Sequence, residues 1–465
     1  MLNLLAGILL LLSCKQEIRP GMIIITRIPQ DYNEKNYITG EFWRYIPNSQ
    51  LVAIDIHNRT KKPIILTKDF FSARSPEVSY DGKRILFAAQ QTKESPWQIW
   101  EMNLSNHKTR LIIALKENCT DLVYLPGNRM AFSKWVENDV TGTLHQLFTC
   151  NLDGSDLRQI TYHPHANFAS TILNDGRILC ISRQLYPEQG DQIYMVMRPD
   201  GTKADMFYKG AHGVTFYNRA RETNDGRIYF IESEKADHSE NNIAVINLNR
   251  PLFTKVNLTS QIHGIFHAVL PFTSEKLLVT FKPSEKKRSA LYEFNLTDNS
   301  LSRPVYDDSE YEITEVALVN GYNRPKKLPS EVDFGVKTGL IMCQNINLLN
   351  TDSSEYLVKH IANRIEVIGI DTAYGRVHVE KDGSFYLKVI ADMPFRVQTL
   401  DENGNVLNGP GGWVWLRPNE RRGCVGCHED YELVPENKVP MAVEKPPVII
   451  PQEISEITEK EVELE

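Results

Sequence analysis

A strand-like motif recurs about every 48 residues through the first two thirds of the chain, and this spacing limits the possible folds more than any other feature. The aligned positions that end the six copies are Asp55, Asn103, Asn151, Met197, Asn247 and Asn295. Each copy is rich in β-forming residues and is followed by a turn. Groups of short strands repeated every 40 to 50 residues are typical of β-propeller blades. The sequence therefore predicts six blades over residues 14–322.

A second set of motifs, interleaved with the first, places turn residues between two apolar runs. The clearest copies are Asp81-Gly82, Asp175-Gly176 and Asp225-Gly226. Both central positions of a tight hairpin need positive φ, so Asp-Gly there is a strong hairpin signal. Asn320-Gly321 is a weaker member, and Met22–Thr26 is predicted to close the ring beside the last blade. These motifs resemble the TolB-type, WD40-like repeats of exported bacterial proteins.

The repeat stops near residue 322, and the remaining sequence has a different character. Residues 323–333 are rich in Pro and charge, which predicts a linker. Short alternating strands separated by Asp-Gly and Asn-Gly turns predict a small β-sandwich over residues 334–440. Residues 441–465 are rich in Glu and Pro and lack aromatic residues, which predicts a disordered tail. The predicted fold class is all-β: a six-bladed β-propeller followed by a small β-sandwich-like domain.

The predicted sandwich contains the sequence Cys424-Val-Gly-Cys427-His428. In Cys-x-x-Cys-His motifs the two thiols add to the two vinyl groups of a haem, and the adjacent His reaches the iron. A redox dithiol would be expected in a βαβ context, and a zinc site would need a second Cys or His pair nearby; the sequence around the motif has neither. A disulfide between the two cysteines is the remaining alternative. We therefore predict a haem c attached through Cys424 and Cys427.

The N-terminus predicts export. An apolar run too short to span a membrane ends in Leu11-Leu12-Ser13-Cys14, which resembles the lipobox of bacterial lipoproteins. The resemblance implies a signal peptide over residues 1–13 and lipidation of Cys14; an uncleaved anchor is the alternative. The predicted location is the cell envelope, lipid-anchored, on the periplasmic or extracellular side. A net charge of -7 argues against nucleic acid as a partner.

The segment from Trp413 to Glu429 looks like the middle domain of the hydrazine synthase alpha subunit and its relatives. That family also places a six-bladed propeller before this domain. The resemblance implies that a Tyr after the motif binds the iron, while the motif His binds zinc together with a propeller Cys. The matching residues here are Tyr431, His428 and Cys150. Ordinary ligation of the iron by His428 stays open, as does a core role for the Cys150 thiol.

Three further pairs of residues have both a haem-linked and a structural interpretation. These pairs are Arg421 with Arg422, Trp413 with Trp415, and His163 with His165. The arginines could pair with haem propionates or form a solvated strand end. The tryptophans could wall the haem or pack in the sandwich core. The histidines could line the haem pocket or lie in a surface loop between blade strands.

Three hypotheses for function follow from these features. The first is a haem-dependent oxidoreductase whose iron has an open position for a small nitrogen or oxygen compound. The second is a periplasmic electron-transfer cytochrome that serves a redox partner protein, and the third is a propeller-based binding module with a structural haem. The family resemblance favours the first in type. The alpha subunit carries a further domain with a second haem, and this sequence ends about 40 residues after the motif, so we do not predict hydrazine synthesis itself.

Overall fold

The computed structural model describes residues 17–29, 45–58, 61–234, 239–284, 286–348, 361–426 and 437–451. In these ranges the chain consists of strands and turns, with two 3-10 turns at Pro251–Phe253 and Met441–Glu444. No helix in the described ranges is long and apolar enough to span a membrane. The predicted signal peptide and Cys14 lie outside the described residues.

The strands that precede the predicted linker are β1 (Ile23–Pro29), β2 (Gln50–Ile54), β3 (Ile64–Ile65), β4 (Ser72–Val78), β5 (Arg84–Gln90), β6 (Gln98–Asn103), β7 (Thr109–Ile113), β8 (Cys119–Leu125), β9 (Arg129–Asn138), β10 (Gly142–Asn151), β11 (Arg158–Gln159), β12 (His165–Ile172), β13 (Ile178–Gln184), β14 (Gln192–Met197), β15 (Asp205–Lys209), β16 (Thr215–Glu222), β17 (Arg227–Ser233), β18 (Asn242–Asn247), β19 (Val256–Asn257), β20 (Ile265–Pro271), β21 (Lys276–Lys282), β22 (Ala290–Asn295), β23 (Ser300–Leu301) and β24 (Tyr311–Leu318). The six copies of the repeated motif are β2, β6, β10, β14, β18 and β22. Each copy therefore has the same place within its group of four strands.

The strands that follow the predicted linker are β25 (Thr338–Cys343), β26 (Arg364–Ile368), β27 (Ala373–His378), β28 (Phe385–Ile390), β29 (Arg396–Leu400), β30 (Val406–Asn408), β31 (Arg421–Cys424) and β32 (Val448–Ile450). The chain divides into two compact units. The first comprises Met1–Tyr124, Leu152–Ser155 and Phe216–Arg324, and the second comprises Leu125–Asn151, Asp156–Thr215 and Pro325–Glu465.

In the first unit, four-stranded antiparallel sheets follow the chain order, as in β4-β5-β6-β7 and β20-β21-β22-β23. One sheet departs from this order, because β1 lies between β24 and β2. Ile24 of β1 is in register with Ala317 of β24 and with Ala53 of β2. The prediction that Asn320-Gly321 begins another hairpin is therefore wrong. The fully buried isoleucines of β1 supply the strand that would have followed β24.

In the second unit, β12 to β15 form another four-stranded sheet in chain order. The strands after the linker form two sheets, β31-β25-β28-β32 and β27-β26-β29-β30. Side chains of both sheets share one hydrophobic cluster, with Ile341 and Leu387 from the first and Ile365 and Val367 from the second. Two sheets that enclose a common core form a β-sandwich. The all-β fold class predicted from the sequence, with propeller-type sheets followed by a small sandwich, is confirmed.

The start of the predicted disordered tail is ordered instead. Met441–Glu444 forms a 3-10 turn, and β32 pairs in parallel with β28, with Ile450 beside Val389. Ile450 is buried in the sandwich core. The prediction of disorder from residue 441 is therefore wrong for residues 441–451, because a short β-branched run between prolines completes the edge of a sheet. Residues 452–465 lie outside the described part of the chain.

Candidate functional site

Cys424 ends strand β31, which pairs in parallel with β25. The register places Arg421 beside Leu340 and Cys424 beside Cys343. The pairing continues past the strand, since the Gln344 N–H donates to the Cys424 carbonyl oxygen at 2.9 Å. The first cysteine of the motif is therefore held by backbone hydrogen bonds of the sandwich.

Gly426 occupies one of the two variable positions of the Cys-x-x-Cys-His motif, and the surrounding backbone leaves no space for a side chain there. A Cβ atom at Gly426 would lie 2.4 Å from the carbonyl oxygen of Leu348, closer than any real contact allows. Gly423, just before the motif, has space by comparison, because a Cβ there would meet only the terminal methyl of Met342 at 3.9 Å. Only glycine at position 426 lets the chain pass this close to the loop after β25.

Cys424 also lies on the wall of a cavity of about 200 Å³ within the sandwich. The residues around this cavity are mainly aliphatic, aromatic or glycine. They are Ile341, Cys343, Phe385, Phe395, Val397, Thr399, Asn408, Gly409, Gly411, Gly412, Val414, Cys424 and Gly426. A Cβ at Gly412 would meet no atom within 4 Å, so this wall is open for lack of side chains.

The cavity is suited to one edge of a flat, apolar group that carries a covalent bond to Cys424. Its wall is free of charged side chains among the residues that line it, and the glycines let a planar ring approach the backbone closely. Complete cofactor sites enclose roughly 300–1,000 Å³, so a cavity of this size has room for part of a haem macrocycle and not for all of it. Residues 427–436, which follow the cavity in the chain, lie outside the described residues. The described side chains fit a thioether-bound haem.

Glu420 organises the segment that leads into the motif. Its carboxylate is fully buried and accepts hydrogen bonds from the backbone N–H groups of Lys203 and Arg417, at 2.9 and 2.8 Å. It also forms an ion pair with Arg422, at 2.7 Å between Oε1 and Nη2. Arg422 therefore has a partner within the protein. Arg421 is exposed, and its carbonyl oxygen accepts a hydrogen bond from the Lys203 ammonium group.

Trp413, Trp415 and Arg417 fix the same segment to loops elsewhere in the second unit. The Trp413 indole N–H donates to the Tyr186 carbonyl oxygen at 2.9 Å. Arg417 is buried, donates to the carbonyl oxygen of Asp200, and pairs with Asp392 at 2.6 Å. Neither tryptophan lines the cavity beside Cys424; Val414, between them, does.

His163 and His165 are buried, so the prediction of a surface loop is wrong. Their rings lie 4.0 Å apart between centroids, and the His163 ring stacks on Trp415 at 4.4 Å. Each ring forms a hydrogen bond with the Ser182 hydroxyl, at 3.3 Å from His163 Nε2 and at 3.0 Å from His165 Nδ1. They do not line the cavity at Cys424 either. The sequence Tyr-His-Pro-His-Ala around these histidines is typical of a loop, so it gave no sign that the two side chains pack in the interior.

Burial determines the charge of this histidine pair. It holds the pKa of His163 well below its usual range and lowers the pKa of His165 to about 3. Both imidazoles are therefore neutral at physiological pH. Within the described part of the chain, His163 Nδ1, His165 Nε2 and Trp415 Nε1 have no hydrogen-bond partner. The contacts between these three side chains are therefore mainly ring stacking, with few hydrogen bonds.

Cys150 is fully buried in β10, opposite Met130 of β9. Among the residues that the structure describes, no group of three or more His, Cys, Asp or Glu side chains is placed to hold a metal ion. Cys427, His428 and Tyr431 lie outside the described residues. The zinc site and the choice of iron ligand therefore stay predictions.

The sequence did not single out Cys343 or Glu420 as parts of this site. Cys343 ends β25, six strands before β31 in chain order, and only the parallel register brings it beside Cys424. Glu420 stands in the polar run Asn-Glu-Arg-Arg, which is typical of an exposed turn. A buried Glu is rare unless it is paired, and one of its partners, Lys203, is distant in sequence.

Comparison with known proteins supports the predicted resemblance. Residues 349–429 match the family model of the hydrazine synthase alpha subunit middle domain. The chain is 23% identical to hydrazine synthase subunit alpha of Kuenenia stuttgartiensis, in an alignment covering 88% of this chain and 66% of that protein. It is thus similar to about two thirds of the relative's length.

The solved structure of hydrazine synthase gives the same result for the fold. Kuenenia stuttgartiensis hydrazine synthase matches with a TM-score of 0.80 at 20% identity, over 92% of this chain and 72% of that chain. TolB from Acinetobacter baumannii matches with a TM-score of 0.47 at 15% identity, over 64% of this chain and 67% of that chain. The chain is similar to hydrazine synthase subunit alpha in sequence and in fold, as predicted.

Proposed function

We propose that this chain is an exported, lipid-anchored monohaem c-type protein of the hydrazine synthase alpha-like group. One haem would be attached through Cys424 and Cys427. The observation that carries the proposal is the position of Cys424 on the wall of an apolar cavity inside the sandwich. A Cys-x-x-Cys-His motif at such a cavity has both the thiols for attachment and an apolar surface for the ring.

The described residues would hold and orient the group. Glu420 and Arg417 fix the segment before the motif, and β25 fixes the backbone of Cys424. Phe385 and Phe395 supply aromatic walls, while Gly412 leaves space for a planar edge. When bound, the haem supplies one-electron chemistry and a metal site for a small ligand.

We propose redox activity on a small molecule at an iron with one open position. The likeness to hydrazine synthase alpha supports this class of function. The substrate and the redox partner protein are not assigned. His428 or Tyr431 would bind the iron, and zinc at His428 and Cys150 is part of the proposal only if Tyr431 is the iron ligand.

The location is proposed from the N-terminus. Lipidation at Cys14 would hold the protein at the membrane surface, on the periplasmic or extracellular side. Covalent haem attachment takes place outside the cytoplasm, so the anchor and the haem motif are consistent with each other. Metabolic labelling with a fatty acid tests the anchor, since Cys14→Ser should abolish the label.

The central test is covalent haem. The full chain is produced with its signal peptide and a haem-attachment system, then denatured and extracted with acidic acetone. We expect the haem to stay with the polypeptide, and Cys424→Ser and Cys427→Ser to lower it. Cys180→Ser is the matched control, because Cys180 is a buried thiol in β13 away from the cavity. Absence of covalent haem in the unaltered chain would overturn the proposal.

Spectra of the loaded protein separate the types of function. A high-spin ferric spectrum with rapid CO binding after reduction is expected for an open site. A low-spin spectrum that CO does not change would contradict the open site and indicate an electron carrier. Comparison of His428→Ala with Tyr431→Phe then identifies the iron ligand, since only loss of the ligand should alter the ferric spectrum strongly.

A further inference from the structure

Cys343 and Cys424 are register partners on neighbouring parallel strands. We propose that these two residues form a disulfide in the haem-free chain, which keeps Cys424 from reacting with haem until the disulfide is reduced. The disulfide itself follows from the geometry of β25 and β31. Its consequence for haem attachment rests on the proposed function.

The spacing of the two strands suits a disulfide. Paired strands lie about 4.8 Å apart, and disulfides join residues whose Cα atoms are about 4.4–6.8 Å apart. Register partners direct their side chains to the same face of a sheet. Cys343 and Cys424 accordingly line the same cavity.

The surroundings favour a bond between this pair over a bond to the other cysteines that the structure describes. Cys343 is 1% exposed and packs in the sandwich core, whereas Cys424 is partly exposed at its edge. An oxidant in solution therefore reaches Cys424 first. Cys343 is the neighbour that the sheet holds in register with it, and the cavity leaves space for the two sulfur atoms to approach.

The reaction is a thiol–disulfide exchange with a small-molecule or protein disulfide as oxidant. The Cys424 thiolate attacks one sulfur of the oxidant, so the oxidant's S–S bond breaks and one thiolate leaves. The Cys343 thiolate then attacks the mixed disulfide and releases the second thiolate. The two leaving thiolates take up the two protons that the cysteines lost. The cysteines are oxidised by two electrons and the oxidant is reduced by two.

This disulfide would compete directly with haem attachment. A thioether forms when a thiol adds across a vinyl group, and a sulfur already in a disulfide has no S–H to add. In an oxidising compartment the disulfide would therefore protect Cys424 from other reactions, but it would also prevent haem attachment at this residue. Haem attachment would then require a reducing dithiol that opens the Cys343–Cys424 bond.

The proposal is tested on the full chain produced without haem and incubated with glutathione disulfide. Remaining thiols are blocked with N-ethylmaleimide, and tryptic peptides are analysed by mass spectrometry without reduction. The peptide containing Cys343 should be found linked to the peptide that contains Cys424 and Cys427. Because those two share a peptide, the link should persist in Cys427→Ser and be lost in Cys424→Ser and Cys343→Ser.

Each other outcome overturns the proposal. One such outcome is a disulfide only between Cys424 and Cys427. The other is that Cys343 and Cys424 both carry N-ethylmaleimide after oxidation. Either result would show that Cys343 and Cys424 do not form a disulfide with each other. Absence of covalent haem with the Cys343–Cys424 link present would contradict the proposed function alone, and covalent haem without the link would contradict this inference alone.

Discussion

Replacement of Glu420 by Ala should destabilise the C-terminal sandwich more than any other single change at a polar residue of the site. The carboxylate is fully buried and receives two backbone N–H groups and the Arg422 guanidinium. After the substitution, the Arg417 N–H and the Arg422 side chain would remain in place with no carboxylate to receive them. The segment before the haem motif would lose the group that holds it together.

The size of the effect follows from the partners that would be left. Removing one member of a buried ion pair costs about 3–5 kcal/mol, because the other charge stays buried. The Arg422 side chain is 14% exposed, which places it near this buried case. The lost backbone hydrogen bond to Arg417 acts in the same direction, so we expect about 4 kcal/mol. At a urea m-value of about 2 kcal/mol/M, the unfolding midpoint should fall by about 2 M.

Tryptophan fluorescence is a suitable signal, because Trp413 and Trp415 are buried in the same segment. Glu420→Gln retains acceptor oxygen but loses the charge, so its midpoint should lie between those of Glu420→Ala and the unaltered chain. Glu402→Ala is the matched control, because Glu402 is exposed in a turn, and it should change stability by less than about 0.5 kcal/mol. A Glu420→Ala midpoint equal to that of Glu402→Ala would refute this account of the segment.

Three further changes test other parts of the site. Gly426→Ala should lower the urea midpoint, since its Cβ would lie 2.4 Å from the Leu348 carbonyl oxygen, while Gly423→Ala should not; equal midpoints would contradict the close approach. Gly412→Leu should reduce covalent haem without lowering the midpoint, because its side chain would extend into open space at the cavity; unchanged haem content would remove the cavity from the proposed site. Burial lowers the folded-state pKa of His165 to about 3, so the unfolded chain binds the extra proton as pH falls below about 6.5 and stability is lost towards pH 3. His165→Gln should therefore remove about 2 kcal/mol of the loss measured between pH 6.5 and pH 5, and an unchanged pH dependence would show that this residue titrates normally.

The repeated strands could be predicted from the sequence because their evidence is local. The motif that ends at Asn103 and the motif that ends at Asn295 are both third strands of their sheets, as the spacing indicated. Asp-Gly turns identified the hairpins for the same reason, since the turn needs positive φ at defined positions. In the turn between β4 and β5, Gly82 has the positive φ, 68°, while Asp81 is not among the residues with positive φ.

Features that depend on distant pairing could not be predicted in this way. The pairing of β24 with β1, nearly 300 residues earlier in the chain, agrees with the role expected for Met22–Thr26 beside the last blade, but the local pattern at Asn320-Gly321 wrongly indicated a further hairpin there. β32 was overlooked because three β-branched residues in a Glu- and Pro-rich run carry little local signal. Its stability comes from pairing with β28 and from burial of Ile450.

The candidate site shows the same difference between features with a local sequence signal and features that depend on distant contacts. The motif at Cys424 was identified from spacing alone, because haem attachment requires adjacent residues. The burial of His163 and Glu420 was not, since it results from contacts with Trp415 and Lys203, which are distant in sequence. The sequence therefore located the proposed attachment point, and the structure identified the residues that hold the segment before it.

The pairing of β1 with β24 has a consequence for the order in which the protein can be completed. β1 is synthesised among the first strands, yet one of its two neighbours, β24, emerges only at residues 311–318. Until then one edge of a strand rich in isoleucine has unpaired backbone groups, which is the kind of surface that joins other chains. A ribosome stalled before residue 311 would release a product with this edge uncovered. Such truncated chains should aggregate or be degraded, although most of their other sheets are already encoded.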